Sequence, residues 1–230
     1  MVIQPATDPY LADTDLQNEA QLGSLSRQAY QRLRDMIVTL QLQPGALINE
    51  AALMDELQVG RTPIREAIQR LAGEGLAVLR PRRGAFVASL SLLDLQQIFE
   101  LRREMEGYAA RLAAERATPA DLAAMTAVLD QLDPARASSD PRALIEVDRA
   151  FHRALARAAH NRFLESTLGR LYNLNLRLWY LALDQIGPMD TAIGEHRRVL
   201  AAIRLRDSAQ AEASLRDHIT DFQTRIKALL

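Results

Sequence analysis

The stretch Gly60-Arg61-Thr62-Pro63-Ile64-Arg65-Glu66-Ala67-Ile68-Gln69-Arg70-Leu71 constrains the fold more than any other. Ile64, Ile68 and Leu71 recur at i, i+4 and i+7, so a helix here has one apolar stripe to bury. Thr62 is placed to cap that helix and Pro63 suits its first position. Arg61, Thr62, Arg65 and Gln69 fall off the stripe and project outward and forward, which is the surface a recognition helix offers to a major groove. Taken alone, the stretch is equally an ordinary amphipathic helix with solvated arginines. Its neighbours decide.

Upstream, Tyr30, Leu33, Ile37 and Leu40 step by three and four and predict a helix from Ser26 to about Gln41, stopped by Pro44-Gly45. Ala46-Leu47-Ile48 reads as a short extended segment. Asn49 then caps a second helix with Leu53 and Leu57 inward, ended by Val59-Gly60. Downstream, Gly73-Glu74-Gly75 breaks the period, and Leu76 to Leu79 and Ala85 to Ala88 read as strands around the basic turn Pro81-Arg82-Arg83-Gly84. Three helices and a strand-turn-strand wing within residues 24–90 predict a winged helix-turn-helix domain, with Arg82 and Arg83 near phosphates and the Gly84 turn near a minor groove. Charge agrees weakly. The whole chain carries −1, but residues 1–23 hold four acids and no base, 24–90 nine bases and six acids, and 91–230 nineteen of each, so the only positive segment is this one. Residues 1–23 are polar and acidic without apolar periodicity and are expected to form a mobile arm.

Beyond the wing no strand signal remains. Ser91-Leu92-Leu93-Asp94 is a capping box opening a long helix, expected to turn Ile98, Leu101, Met105, Tyr108 and Leu112 inward, and Thr118-Pro119-Ala120-Asp121 opens the next. Further helices follow Asp140-Pro141, about Asn161, about Met189 and Asp207, with breaks at Asp133-Pro134 to Ser139, at Gly187-Pro188 and at Arg206-Asp207-Ser208. The expected fold is mainly α: the winged domain, then an all-helical antiparallel bundle of six or seven helices over residues 91–230, joined with almost no linker. No apolar run approaches the roughly 18 residues of a membrane helix. No secretory signal opens the chain, so a cytoplasmic protein without membrane contact is expected. Cysteine is absent, so any metal must be held by His and carboxylate. Asp148 and His152 stand at i, i+4 on one helix face, and His196 and His218 lie on the last two helices. A bundle can bring these four together as a three-His, one-Asp cation site open to an exogenous ligand; the alternative is a solvated surface pair. His160, at a helix end, reads as structural, and Trp179 and Tyr180 as core or lining, with at least one in the core.

The run Pro44-Gly45, Asn49-Glu50, Leu53, Leu57-Gln58-Val59, Arg61-Thr62-Pro63-Ile64-Arg65-Glu66-Ala67, Leu71, Gly75-Leu76 and Arg83-Gly84-Ala85-Phe86-Val87 resembles the DNA-binding domain of the GntR family of bacterial transcription regulators. The resemblance implies operator contacts by Arg61, Thr62, Arg65 and Gly84. Two positions depart from the family pattern: Ala51 stands where an arginine usually reaches a guanine, and Gly60 where Ser or Thr is common. Asp148-(three residues)-His152 with Phe151 between, then Glu195-His196 and Asp217-His218, resembles the FCD effector domain of the FadR-like subfamily. That resemblance implies a divalent metal (zinc, with nickel or manganese as alternatives) under a carboxylate-ligand cavity, an inward Arg102 as partner of an effector carboxylate, and a homodimer formed by the C-terminal domain. A ligand-responsive regulator of double-stranded operator DNA, expected to be a repressor, is thus the leading expectation. A metal-dependent enzyme and a constitutive DNA-binding protein are the rivals; no H-E-x-x-H motif supports the first of these.

Overall fold

The computed structural model describes residues 13–89, 91–131, 141–182 and 190–228, with 13–22 and a few single helix-end positions described by backbone alone. The chain divides between residues 89 and 90 into two compact units.

In the first unit α1 (Asp13–Val38) supplies Tyr30, Leu33 and Ile37 to the core. The expected arm therefore needs correcting: its residues 13–23 are helical, while 1–12 lie outside the described residues. Leu16, Glu19, Ala20, Gln21 and Leu22 are good helix formers, and a lone glycine, Gly23, does not stop a helix that is already running. The second helix, α2 (Glu50–Leu57), is capped by the Asn49 side chain, which accepts from the Ala52 amide at 3.1 Å. It ends at Gln58, whose φ of 53° is left-handed, rather than at Gly60. Gly60 instead precedes α3 (Arg61–Gly73) as its N-cap, so Thr62 does not cap and Pro63 is third in the helix. Pro63 is tolerated there because the first amides of a helix have no intrahelical acceptor. Pro63, Ile64, Ala67, Ile68 and Leu71 bury one side of α3.

Strands β1 (Ala77–Arg80) and β2 (Gly84–Val87) pair antiparallel with Ala77 opposite Val87 and Arg80 opposite Gly84. The segment around Leu47 joins them: Ile48 N–H donates to the Ala85 carbonyl at 2.8 Å and Val87 N–H to the Ala46 carbonyl at 2.9 Å.

Six helices are described in the second unit: α4 (Leu92–Arg116), α5 (Pro119–Leu129), α6 (Pro141–Ala158), α7 (Arg162–Ala182), α8 (Asp190–Arg204) and α9 (Ser208–Lys227). Both capping boxes form, through Ser91 with Asp94 and Thr118 with Asp121. The expected breaks at Asp133 to Ser139 and at Gly187-Pro188 lie outside the described residues. Arg206, left-handed at φ 59°, ties the α8–α9 turn to the end of α4, donating to the carbonyls of Ala114 at 3.0 Å and Ala117 at 2.7 Å. The face of α4 differs in part from expectation: Ile98 and Leu112 are buried and Met105 partly so, as expected. Leu101 and Tyr108 are 46% and 39% exposed, whereas Leu95, Phe99, Arg102, Glu106, Ala109 and Ala113 point inward. Two charged residues on the buried stripe disguise its period, and the apolar residues beside it mimic one.

Candidate nucleic-acid face and metal centre

Arg61, Thr62, Arg65 and Gln69 are all exposed on the side of α3 opposite its buried stripe. The Arg65 Nε lies 2.9 Å from Glu50 Oε2 at the start of α2. Both partners are largely solvated, so the pair contributes little and Arg65 is released at small cost. In the wing turn Arg82, Arg83 and Gly84 are exposed, with Arg82 at φ 61° and Gly84 at φ 94°. A Cβ on Gly84 would sit 3.4 Å from Leu47 Cδ1 in a backbone conformation that side chains disfavour, so glycine keeps the wing tip narrow. Arg80 is held back, its guanidinium 4.9 Å from the Phe86 ring centroid. Ala51 is exposed on α2 and presents only a methyl group to that face.

In the helical unit, Asp148 and His152 from α6, His196 from α8 and His218 from α9 converge, all four buried, with one potential ligand atom from each lying within 4.8 Å of every other. The His152 and His218 Nε2 atoms are 3.3 Å apart and the His196 and His218 Nε2 atoms 3.1 Å. Asp148 Oδ1 is 3.3 Å from His196 Nε2, 3.6 Å from His152 Nε2 and 3.9 Å from His218 Nε2. Donors about 2.1 Å from a common ion stand roughly 3.0 to 3.4 Å apart at neighbouring positions, close to the shorter of these separations. The next shell orients the rings. His152 Nδ1 bonds Glu106 on α4, and His218 Nδ1 bonds Glu195 at 2.7 Å. Tyr172 on α7 donates to Asp148 Oδ2, and the Phe151 ring stacks on His196 at 4.4 Å. With Nδ1–H given to a carboxylate, each of these two histidines turns the lone pair of Nε2 toward the same point, the arrangement of a metal ligand and its supporting acid.

The electrostatics of the site are strongly coupled. Burial alone would raise the Glu106 carboxyl, but the Arg102 guanidinium and His152 outweigh it and hold it at about 2. Burial would also raise Asp148, yet His152 and His196 bring it well below the ordinary carboxylate range. His152, which burial would lower, is pushed up to about 9 by Glu106 and Asp148, while burial and the neighbouring His218 push His196 down to about 4. In the metal-free site Arg102 and a protonated His152 supply the positive charge that keeps Glu106 and Asp148 ionised, so a cation bound at the Nε2 atoms would have to displace the His152 proton. The donor set of three imidazoles and one carboxylate fits a first-row divalent cation.

Comparisons with known proteins bear on both units. The model of the gntR family of bacterial regulatory proteins matches residues 25–87, and the FCD domain model matches residues 97–221, more than half of the chain. The chain belongs to the GntR family. Among its relatives, the HTH-type transcriptional repressor RspR of Escherichia coli K12 is 26% identical over 205 residues, covering 89% of this chain and 90% of that protein. An HTH-type transcriptional regulator of Streptomyces ambofaciens is 30% identical, covering 84% of this chain and 81% of its own length. The solved structure of E. coli McbR/YncC superposes with a TM-score of 0.78 at 24% identity, covering 89% of this chain and 97% of that one, and shows the shared fold. This GntR-family chain is therefore a DNA-binding transcription regulator with an FCD domain and not an enzyme. No described helix is long and apolar enough to cross a membrane.

Of the residues singled out from sequence, Arg102 is buried as expected, but its Nε is engaged by Glu106 at 2.6 Å. His160 lies outside the cluster and pairs with Asp121 at 2.8 Å. Trp179 is core, stacked on Phe222 at 4.3 Å, while the Tyr180 hydroxyl reaches Glu146 at 3.4 Å. The sequence reading did not assign Glu106, Glu195 and Tyr172 to the centre. For Glu195 the adjacency to His196 is a false signal, since it holds His218 on another helix.

Proposed function

We propose that this chain is a one-component repressor that binds operator DNA as a homodimer and is controlled by a small carboxylic acid bound at a divalent metal, zinc before nickel or manganese, in its helical domain. Residues 24–90 bind DNA, with Arg61, Thr62, Arg65 and Gln69 in a major groove and Arg82, Arg83 and Gly84 along the flanking backbone and minor groove. Residues 91–230 hold metal and effector and form the dimer. The observation that carries this reading is the convergence of Asp148, His152, His196 and His218, three backed by their own hydrogen-bonding side chains, in a chain whose other unit is a winged helix. The metal, when bound, supplies a Lewis-acidic position for a carboxylate oxygen. Arg102, 2% exposed and with its Nη1 lacking a partner, supplies the complementary hydrogen bonds. Four residues separate the end of β2 at Val87 from the start of α4 at Leu92, so a movement of α4 has little slack to absorb it.

Differential scanning fluorimetry of the zinc-loaded chain against short organic acids, repeated after chelation, tests the reading. Selected acids raise the melting temperature only with metal present and then change operator affinity in a fluorescence-anisotropy titration. Stabilisation indifferent to chelator would refute the metal-borne site, and operator affinity unchanged by every stabilising acid would leave a constitutive DNA-binding protein.

A further inference from the structure

Asn175 is fully buried on α7, and neither its amide nitrogen nor its amide oxygen has a hydrogen-bond partner. A buried amide missing both bonds is an unusual expense in a folded protein, and it calls for a reason. Arg102 Nη1 and, in the cluster itself, His196 Nδ1 are also buried without a hydrogen-bond partner. Tyr172 connects the two regions, by ring contact to Arg102 and by helix spacing to Asn175. The Arg102 guanidinium lies 5.2 Å from the Tyr172 ring centroid and 5.6 Å from that of Phe99. Asn175 follows Tyr172 by three residues and precedes Trp179 by four, so the three share a side of α7. Trp179 and Phe99 in turn both pack on Phe222, at 4.3 and 5.6 Å. Asn175 thus stands about one helical turn, ~4.5 Å of rise, beyond the tyrosine that holds Asp148.

We propose that Asn175 reads a hydroxyl group on the effector, so that the site selects short hydroxy acids over the corresponding plain acids. This rests on the carboxylate reading given above and adds the second half of the ligand. An amide offers one donor and one acceptor side by side, and a hydroxyl, which both donates and accepts, answers the two together. An alkyl chain answers neither, and a keto oxygen satisfies the donor alone. The hydroxyl stands on the first or second carbon beyond the carboxyl, and the Phe99, Trp179 and Phe222 rings favour a short chain over a long one.

Isothermal titration of the zinc-loaded full chain with glycolate against acetate, and with 3-hydroxybutanoate against butanoate, reads the selectivity. In at least one pair the hydroxy acid binds the wild type about tenfold tighter or more. In Asn175→Leu that ratio falls to within twofold while metal content stays at the wild-type level. Without ligand, Asn175→Leu melts about 2 to 6 °C higher, because an unpartnered amide is exchanged for an apolar group of similar volume. Equal affinities within both pairs, a ratio that survives the substitution, or a ligand-free melting point that falls would overturn the role of Asn175 and leave the metal-borne carboxylate site standing. Failure of the zinc-loaded wild type to bind any of the four acids would overturn the carboxylate reading itself.

Discussion

Glu195 allows the metal reading to be tested without touching a ligand. Its Oε2 accepts from His218 Nδ1 at 2.7 Å, both residues being buried, and its Oε1 faces Arg225 at 3.5 Å. Glu195→Ala leaves a buried imidazole N–H without this acceptor, a loss of ~1 to 3 kcal/mol. The Arg225 pair adds little, since Arg225 is 39% exposed and solvent screens it. For the helical domain the loss corresponds to a fall of roughly 3 to 9 °C in melting temperature with chelator present. Metal binding should suffer separately, because the carboxylate fixes the tautomer that aims Nε2 inward; loss of such a support weakens affinity by about 10- to 100-fold, or ~1.4 to 2.7 kcal/mol. Glu195→Gln retains an acceptor of the same reach. It should therefore recover most of the stability while keeping part of the affinity loss, since a neutral amide raises imidazole basicity less than a carboxylate does. Competition against a chromophoric zinc chelator gives the affinities and scanning fluorimetry the stabilities. If Glu195→Ala holds zinc as tightly as the wild type, His218 is not a ligand and the assignment of the centre fails.

Arg61→Ala and Arg65→Ala should each weaken operator binding by ~1 to 3 kcal/mol while leaving helix content unchanged by circular dichroism; wild-type anisotropy titrations for both would remove α3 as the reading element. Chelation of purified protein should lower its melting temperature by several degrees, as expected for an ion bound only by the folded state, and full recovery on zinc addition is the accompanying check. Arg206→Ala deletes two bonds to the last carbonyls of α4 and should cost about 1 to 3 kcal/mol in urea unfolding; no change in midpoint would make the contact ornamental. Gly107→Ala brings a Cβ to 2.8 Å from Arg216 Cγ, and the displaced Arg216 loses its 2.7 Å bond to Glu104. That loss should roughly cancel the ~1 kcal/mol gain in helix propensity, so a clearly stabilised variant would show that Arg216 moves aside freely.

What the sequence could reveal followed from how far apart the interacting residues lie. Helix α3 was legible because its apolar stripe recurs at i, i+4 and i+7 within one stretch while the arginines fall off it. Asp148 and His152 were legible as a pair because four residues bring them to one face. The supports of the centre were not, since Glu106 lies 46 residues from His152, Tyr172 24 from Asp148 and Glu195 23 from His218. Only the packing of helices determines such pairings. On α4 Ile98 and Leu112 are inward as their spacing predicts, but Leu101 and Tyr108 are not, because Arg102 and Glu106 occupy buried positions and a search for apolar period passes over charge. At α3 a glycine and a threonine two residues apart could each precede the first turn, and backbone dihedrals rather than residue type made Gly60 the cap.

The last helix lies against the first of its unit: Phe222 meets Phe99, and Arg216 meets Glu104, 112 residues earlier in the chain. During synthesis the winged domain can complete itself as soon as residue 89 clears the ribosome. Over one hundred residues must then be translated before α9 arrives to cover Phe99 and to deliver His218. Until that moment the nascent chain has a finished reader of DNA attached to an open, unmetallated bundle with charged and aromatic groups facing water. A stop codon ahead of His218 should therefore leave the candidate centre without one of its ligands and Phe99 without the ring that covers it.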